Sequence, residues 1–337
     1  MTLPASLPAA RQDTARAALT AAFGGGRVTG WRLLQGGVSG AQIWRIQVSE
    51  RPYVLRLEPD RVALQHRQRG YASMTAAATA GVAPPVRHAD AAAGVAVMDF
   101  IEGLPLSEHP GGPEGLVREL GELVARLQAT APFPPLADES GDLIAAVLAG
   151  LSATGLFAPG LLDRHADALA GIRDACPWDR SSLVSSHNDT NPRNMLFDGR
   201  RVWLVDWELA CRNDPLFDLA ILTLELATTP QLEAILVEAA IGAGPNEPLR
   251  ARLAVTRLLA RLFYGCIALE AFAGAPRAAP ETSLDALAPA AFLDAARGGR
   301  LGTPNDVAWA FGKMSLAAFL DGVAAPGFDA VLDRARP

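Results

Sequence analysis

The chain has 337 residues, half of them hydrophobic and a fifth charged, with a formal net charge of −6. That length allows two domains or one large two-lobed domain, and that composition excludes wholesale disorder. The acidic balance speaks against a general nucleic-acid or anionic-membrane binder, while leaving room for a local basic groove.

In chain order, residues 8–22 read as an amphipathic helix ended by Gly24-Gly25-Gly26. The period then changes. "WRLLQ" (31–35), "QIWRIQV" (42–48) and "YVLRLE" (53–58) are short runs of bulky and β-branched residues broken by Gly and Pro, and they predict three antiparallel strands. Residues 62–80 predict a helix closed by Gly81 and Pro84, and "GVAVMDFIEG" (94–103) a strand that leaves into a connector. Beyond residue 105 helical periods take over, near 114–130, 140–152 and 161–174. An island of short strands and loops follows at 183–206. Helices resume near 215–227, 231–242, 248–273, 286–297 and 304–320. A small strand-rich N-terminal part thus precedes a large helical part, and a cleft between two such parts is the natural place for a site.

Cys176, Cys211 and Cys266 are far apart and odd in number, so neither a disulfide framework nor a Cys-rich zinc site is expected. The first twenty residues lack a basic segment followed by an apolar one, and no stretch of about 18 uncharged apolar residues occurs. The expectation is a cytoplasmic protein with no membrane and no nucleic-acid partner.

The informative island reads "SSHNDTNPRNMLF" (185–197), then "RVWLVDWELA" (201–210). Phosphoryl transfer needs a carboxylate to orient an acceptor hydroxyl and take its proton, oxygen ligands for magnesium, and a backbone cradle with a cation for the phosphates. His187-x-Asp189-x4-Asn194 followed by Asp206 supplies the first two: Asp189 as base, Asn194 and Asp206 as ligands of Mg2+. Upstream, "LLQGGVSGAQIW" (33–44) is a glycine-rich turn between two strands, and Arg56 is a cation in the apolar run "YVLRL". Each feature alone is commonly a turn, a cap or a solvated charge. Their order along the chain carries the reading.

The segment 186–220, "SHNDTNPRNMLFDGRRVWLVDWELACRNDPLFDLA", resembles the catalytic segment of the aminoglycoside phosphotransferase and choline kinase superfamily, closest to its bacterial choline/ethanolamine kinase branch. The resemblance covers roughly residues 25–320. It implies an α+β, protein-kinase-like two-lobed fold, with a small antiparallel-sheet N-lobe (1–102) and a large, mostly helical C-lobe (103–337). It implies an ATP- and Mg2+-dependent kinase acting on a small-molecule alcohol, a cationic amino alcohol such as choline or ethanolamine. Position by position, His187, Asp189 and Asn194 match the catalytic loop and Asn194 and Asp206 the metal ligands. Asp218 matches an aspartate that braces that loop. Gly36, Gly37, Ser39 and Gly40 match the phosphate-binding turn and Arg56 the strand cation. Met98, Asp99 and Ile101 match the hinge that meets adenine. Glu225 matches an acid facing the substrate ammonium, Tyr264 and its neighbour Gly265 a pocket pair, and Trp309 a later pocket aromatic.

Two departures stand out. The helix at 62–80 carries no acid, and Gly70 falls where the family has a glutamate that pairs with the strand cation. Arg56 is then expected to use Glu58 or a phosphate. The substrate helix supplies Phe263 and Tyr264, then Cys266 and Ile267, fewer aromatics than a quaternary-ammonium cage uses. Three other readings follow: an aminoglycoside-type or other hydroxyl kinase, a nucleotide-binding pseudokinase with a regulatory role, and a structural α/β protein with polar turns.

Overall fold

The computed structural model describes residues 3–24, 26, 28–34, 40–136, 142–177 and 179–336. Helix α1 (Ala9–Phe23) precedes three strands, β1 (Val28–Leu34), β2 (Gln42–Val48) and β3 (Arg51–Leu57). The β2–β3 turn, Ser49-Glu50, has φ of 49° and 67°. Two successive left-handed residues give the turn whose twist matches that of paired strands. Helix α2 (Leu64–Thr79) follows, then β4 (Val86–Asp90) and β5 (Val95–Asp99). All pairings are antiparallel, in the order β1-β2-β3-β5-β4.

Alternation along the strands explains which face is buried. Trp44, Ile46 and Val48 on β2, Tyr53, Leu55 and Leu57 on β3, and Val95 and Val97 on β5 form one core with Ala15, Ala18 and Leu19 of α1. The intervening residues, Arg56 among them, point to the opposite face. Two details differ from the sequence expectation. The strand expected over 94–103 ends at Asp99, and β4, "VRHAD", was not foreseen. It is a half-exposed edge strand with three polar residues in five, a pattern that carries no apolar alternation.

The remaining elements are α3 (Gly112–Gln128), α4 (Leu143–Ala153), α5 (Asp163–Ala175), the short strands β6 (Val184–Ser186), β7 (Met195–Phe197), β8 (Val202–Leu204) and β9 (Cys211–Asn213), then α6 (Phe217–Glu225), α7 (Pro230–Ile241), α8 (Glu247–Glu270), α9 (Pro289–Arg297), α10 (Pro304–Val323) and α11 (Phe328–Ala335). The last helix was not anticipated. The short strands pair as β6–β9 and β7–β8. Small antiparallel N-terminal sheet and helical C-terminal region together make the protein-kinase-like architecture expected.

The chain packs as two compact units. The first comprises 1–137, 184–218 and 225–244, and so holds the five-stranded sheet, α1–α3, the four short strands and α7. Within it α3 and α7 touch backbone to backbone: a Cβ on Gly121 would fall 2.4 Å from the Leu236 carbonyl oxygen. The second comprises 138–183, 219–224 and 245–337, where α8 packs against α4, α10 and α11. Among the described residues no single helix is long and apolar enough to cross a membrane.

Candidate active site

The loop between β6 and β7 carries His187, Asp189 and Asn194, and it is built on a buried aspartate. Asp218, at the start of α6, is 1 % exposed. It accepts hydrogen bonds from Ser186 Oγ (2.8 Å), His187 N (2.9 Å) and Asn188 N (2.8 Å). Burial pushes its pKa up, against the pull of His187 and these donors. Asn188 has φ of 64° and is held by its own side chain, which donates to Leu209 O (2.9 Å) and accepts from Asn213 Nδ2 (2.7 Å). Asparagine tolerates that backbone better than most residues.

This brace presents Asp189 half-buried, with its carboxylate held on both sides. Asn191 Nδ2 donates to Oδ1 (2.6 Å) and Asn194 Nδ2 to Oδ2 (2.7 Å). Asn194 also donates to the Asp189 carbonyl (3.0 Å), and its amide oxygen accepts nothing among the described residues. His187 is fully buried; its Nε2 pairs with the Val205 carbonyl (3.0 Å) and its ring meets Trp207 edge-on at 4.5 Å. It touches the backbone next to Asp206 and sits where it positions that residue instead of meeting an acceptor.

Asp206 follows β8 with φ of 68°. Its Oδ1 is buried without a hydrogen-bond partner and lies 3.6 Å from Arg56 Nη1. Arg56 is surrounded by acids: its Nε donates to Glu58 Oε1 (2.6 Å) and its Nη2 to Glu208 Oε1. Burial alone favours a neutral guanidine, but Asp206, Glu58 and Glu208 override it and raise Arg56 above the ordinary arginine range. Arg56 is therefore not loosely held, and the partner expected from the sequence, Glu58, is one of two close ones. Glu208 was not singled out; the signal available was its place two residues after Asp206 in the "DWE" triplet.

Of the phosphate-turn residues, Gly36, Gly37 and Ser39 lie outside the described residues. Gly40 is described, with φ of 79°, and a Cβ there would fall 2.7 Å from Arg61 Nη2. Arg61, which the sequence reading does not single out, thus lies beside Gly40. At the hinge, Met98 and Asp99 lie within β5, and the Asp99 carboxylate takes Arg87 through two bonds of 2.6 and 2.7 Å. Ile101 is half-buried, and its backbone N–H and carbonyl make no hydrogen bond among the described residues.

Of the expected acceptor residues, Glu225 ends α6 and is exposed. Tyr264 contacts Phe263 (5.6 Å) and Phe311 (6.3 Å), and Phe311 contacts Phe292. Trp309 belongs to a different group: it stacks on Phe157 at 6.2 Å, meets Phe272 at 5.3 Å, and has the Arg277 guanidinium 4.3 Å from its ring centroid. None of the three cysteines is in a disulfide, and burial pushes the Cys266 thiol up to about 12.

The residues fit a magnesium nucleotide. Asp206 offers an orphaned buried oxygen, Asn194 an uncommitted amide oxygen, and three carboxylates around one guanidinium favour a further cation. No group of three or more His, Cys, Asp or Glu side chains among the described residues forms a closed metal site. Mg2+ does not need one, because it keeps waters and phosphate oxygens as ligands.

Comparison with known proteins places the fold and the family. Protein LicA of Haemophilus influenzae is 40 % identical over 56 residues, 17 % of this chain; the match spans only about a fifth (21 %) of LicA's length. A choline/ethanolamine kinase family protein from Mesorhizobium loti has a similar structure, with a TM-score of 0.64 and 24 % identity over 96 % of this chain and 98 % of that one. The choline kinase LicA from Streptococcus pneumoniae gives a TM-score of 0.62 at 15 % identity, over 92 % and 99 % of the two chains. The profile of the phosphotransferase enzyme family matches residues 30–255, about two thirds of the sequence, and the chain belongs to that family.

Proposed function

We propose that this protein is a Mg2+- and ATP-dependent kinase that moves the γ-phosphate of ATP to the hydroxyl of a small molecule, a cationic amino alcohol of the choline or ethanolamine type. The observation that carries the reading is the joint placement, within one compact unit, of Asp189 fixed by two amides, Asn194, Asp206 and Arg56. In functional terms residues 1–102 supply the phosphate turn, Arg56 and the hinge, and residues 103–337 supply the catalytic loop and the acceptor pocket.

Asp189 receives the acceptor hydroxyl and takes its proton as the bond to phosphorus forms. Because Asn191 and Asn194 each donate to one of its oxygens, the carboxylate does not rotate, and no reorganisation is needed during transfer. Asn194 and Asp206 would hold Mg2+, which supplies charge neutralisation on the phosphate oxygens. Arg56 points its guanidinium at the same region, the glycine-rich segment 36–40 and Arg61 would hold the phosphates, and the backbone groups of Ile101 would meet the adenine edge. His187 and Asp218 shape the loop and stay out of contact with substrate.

The pseudokinase reading rested on the missing helix glutamate alone, and Arg56 has close acid partners without it. A second reading of the acceptor has its own support. The Trp309 ring already carries the Arg277 guanidinium, and Trp309 and Tyr264 lie in separate aromatic groups. That arrangement suits a hydroxyl acceptor bound by polar contacts, such as an amino sugar, better than a quaternary ammonium in a cage. An ATP-consumption screen over choline, ethanolamine, thiamine, amino sugars and aminoglycosides tests both. Turnover with an amino alcohol supports the first, turnover only with sugars the second, and no turnover with any acceptor refutes the kinase reading.

A further inference from the structure

We propose that Glu208, together with Glu58, positions Arg56, and that Gly70 and Arg69 of α2 seat the loop that delivers Glu208. The proposal rests on the kinase reading above.

Three observations converge. The acid is present: Arg56 Nη2 donates to Glu208 Oε1, while Glu58 takes Nε, so both edges of the guanidinium fork are occupied. A planar fork held at two edges has its plane and its reach fixed, which a single partner would not achieve. The room is present: a Cβ on Gly70 would lie 3.2 Å from the Trp207 carbonyl oxygen and 3.8 Å from Glu208 Cα. The helix therefore runs close against the backbone of the 207–208 segment, and a side chain at position 70 would have to push that backbone aside by a few tenths of an ångström. The grip is present: Arg69, 9 % exposed, donates through Nη2 to the Glu208 carbonyl (3.1 Å). At neighbouring positions α2 thus offers a cation and a gap. The acid that meets Arg56 Nη2 arrives from the loop that also carries Asp206. One segment then sets both the metal-facing carboxylate and the phosphate-facing cation.

Glu208 acts through Arg56, so it is a positioning residue, and its removal has a signature that a general structural defect lacks. Melting temperatures without nucleotide and steady-state kinetics with ATP are measured for wild type, Glu208→Ala, Glu208→Gln, Arg56→Lys and the Glu208→Ala/Arg56→Lys double variant. Glu208→Ala is expected to lower kcat/KM for ATP about tenfold. Glu208→Gln, which still accepts from Arg56, recovers to within about threefold of wild type. In the Arg56→Lys background, where Nη2 no longer exists, Glu208→Ala costs less than about twofold, and the two melting shifts are likewise less than additive. The Mg2+ concentration for half-maximal rate stays unchanged. Additive losses in the melts and the kinetics overturn the proposal. So does a higher Mg2+ requirement in both Glu208 variants, which would make Glu208 a metal ligand. A wild-type protein that consumes no ATP with any acceptor refutes the kinase reading instead, and the melts alone then decide whether Arg56 and Glu208 are coupled.

Discussion

Placing a glutamate at position 70 should damage this protein. Gly70→Glu places a Cβ 3.2 Å from the Trp207 carbonyl oxygen, a few tenths of an ångström inside comfortable contact. The rest of the side chain then has to leave a site already lined by backbone. Overpacking of this kind costs about 1–3 kcal/mol. The new carboxylate also enters a region where Glu58, Asp206 and Glu208 already surround one guanidinium, so it meets net negative charge. Against this, leaving glycine in a helix interior recovers about 1 kcal/mol of helix preference. The balance is a net loss of about 1–2 kcal/mol, or roughly 1.5–3 °C in Tm for a protein of 337 residues. Gly70→Ala separates the terms: it keeps the helix gain and most of the contact but adds no charge, so its Tm should stay within about 1 °C of wild type. Its kcat should still fall several-fold, because the Trp207 carbonyl lies between Asp206 and Glu208 and moves with them. Differential scanning fluorimetry and ATP-dependent turnover measure both. A Gly70→Glu protein with wild-type Tm and unchanged or better use of ATP would show that the helix site is open to an acid, and would refute the account of how Arg56 is held.

Three further outcomes are expected. Asp189→Asn should lower kcat by about 10²-fold or more with ATP affinity within about twofold, read by turnover and calorimetry; a wild-type rate removes Asp189 from the role of base. Glu225→Gln should raise KM for a cationic alcohol only about two- to fivefold, the worth of a solvated ion pair, and leave a neutral alcohol of equal size unaffected; equal effects on both exclude an ammonium contact. His165 is fully buried against Phe319, and burial lowers its pKa to about 4. It stays neutral when folded and gains a proton on unfolding below its ordinary value of 6.5. The stability it permits is therefore complete above pH 6.5 and falls by up to about 3 kcal/mol on the way down to pH 4. Melts between pH 7 and 5 should show a steeper fall for wild type than for His165→Gln, and identical slopes would refute this.

What the sequence revealed and what it hid follow one physical division. Periodicity is local, so long segments with a strong pattern, such as 42–48, 53–57 and the helices from 112 to 323, were legible from side-chain alternation alone. Edge strand β4 and terminal α11 were not, because a half-exposed element needs little apolar periodicity. The catalytic loop was legible for another reason: His187, Asp189, Asn194 and Asp206 sit within twenty residues, and their spacing is itself the geometry. Contacts across long separations were invisible. Arg56 meets Glu208 152 residues away, and Arg69 meets the Glu208 carbonyl 139 away. The absent helix acid was visible as a gap, but nothing in the order of residues said what fills it. The same limit applies to Trp309, whose partners Phe157 and Arg277 come from separate segments.

Asp206 shows how these long-range contacts serve the chemistry. A non-glycine residue at φ of 68° costs about 1–2 kcal/mol relative to ordinary backbone, and glycine would avoid that cost. The carbonyls on either side are fixed from outside the loop: His187 Nε2 pairs with that of Val205, and Arg69 donates to that of Glu208. Asp206 thus lies between two anchored carbonyls, one tied to the catalytic loop and the other to helix α2. The strained backbone keeps Oδ1 buried and without a hydrogen-bond partner, in the one place where Arg56 and a nucleotide-bound cation would both reach it. Oδ1 is compensated by the charge of Arg56 at 3.6 Å, beyond hydrogen-bond length, and not by a hydrogen bond, so the strained backbone is the cost of this placement. It is the placement that the proposed role of Asp206 as a ligand of Mg2+ calls for.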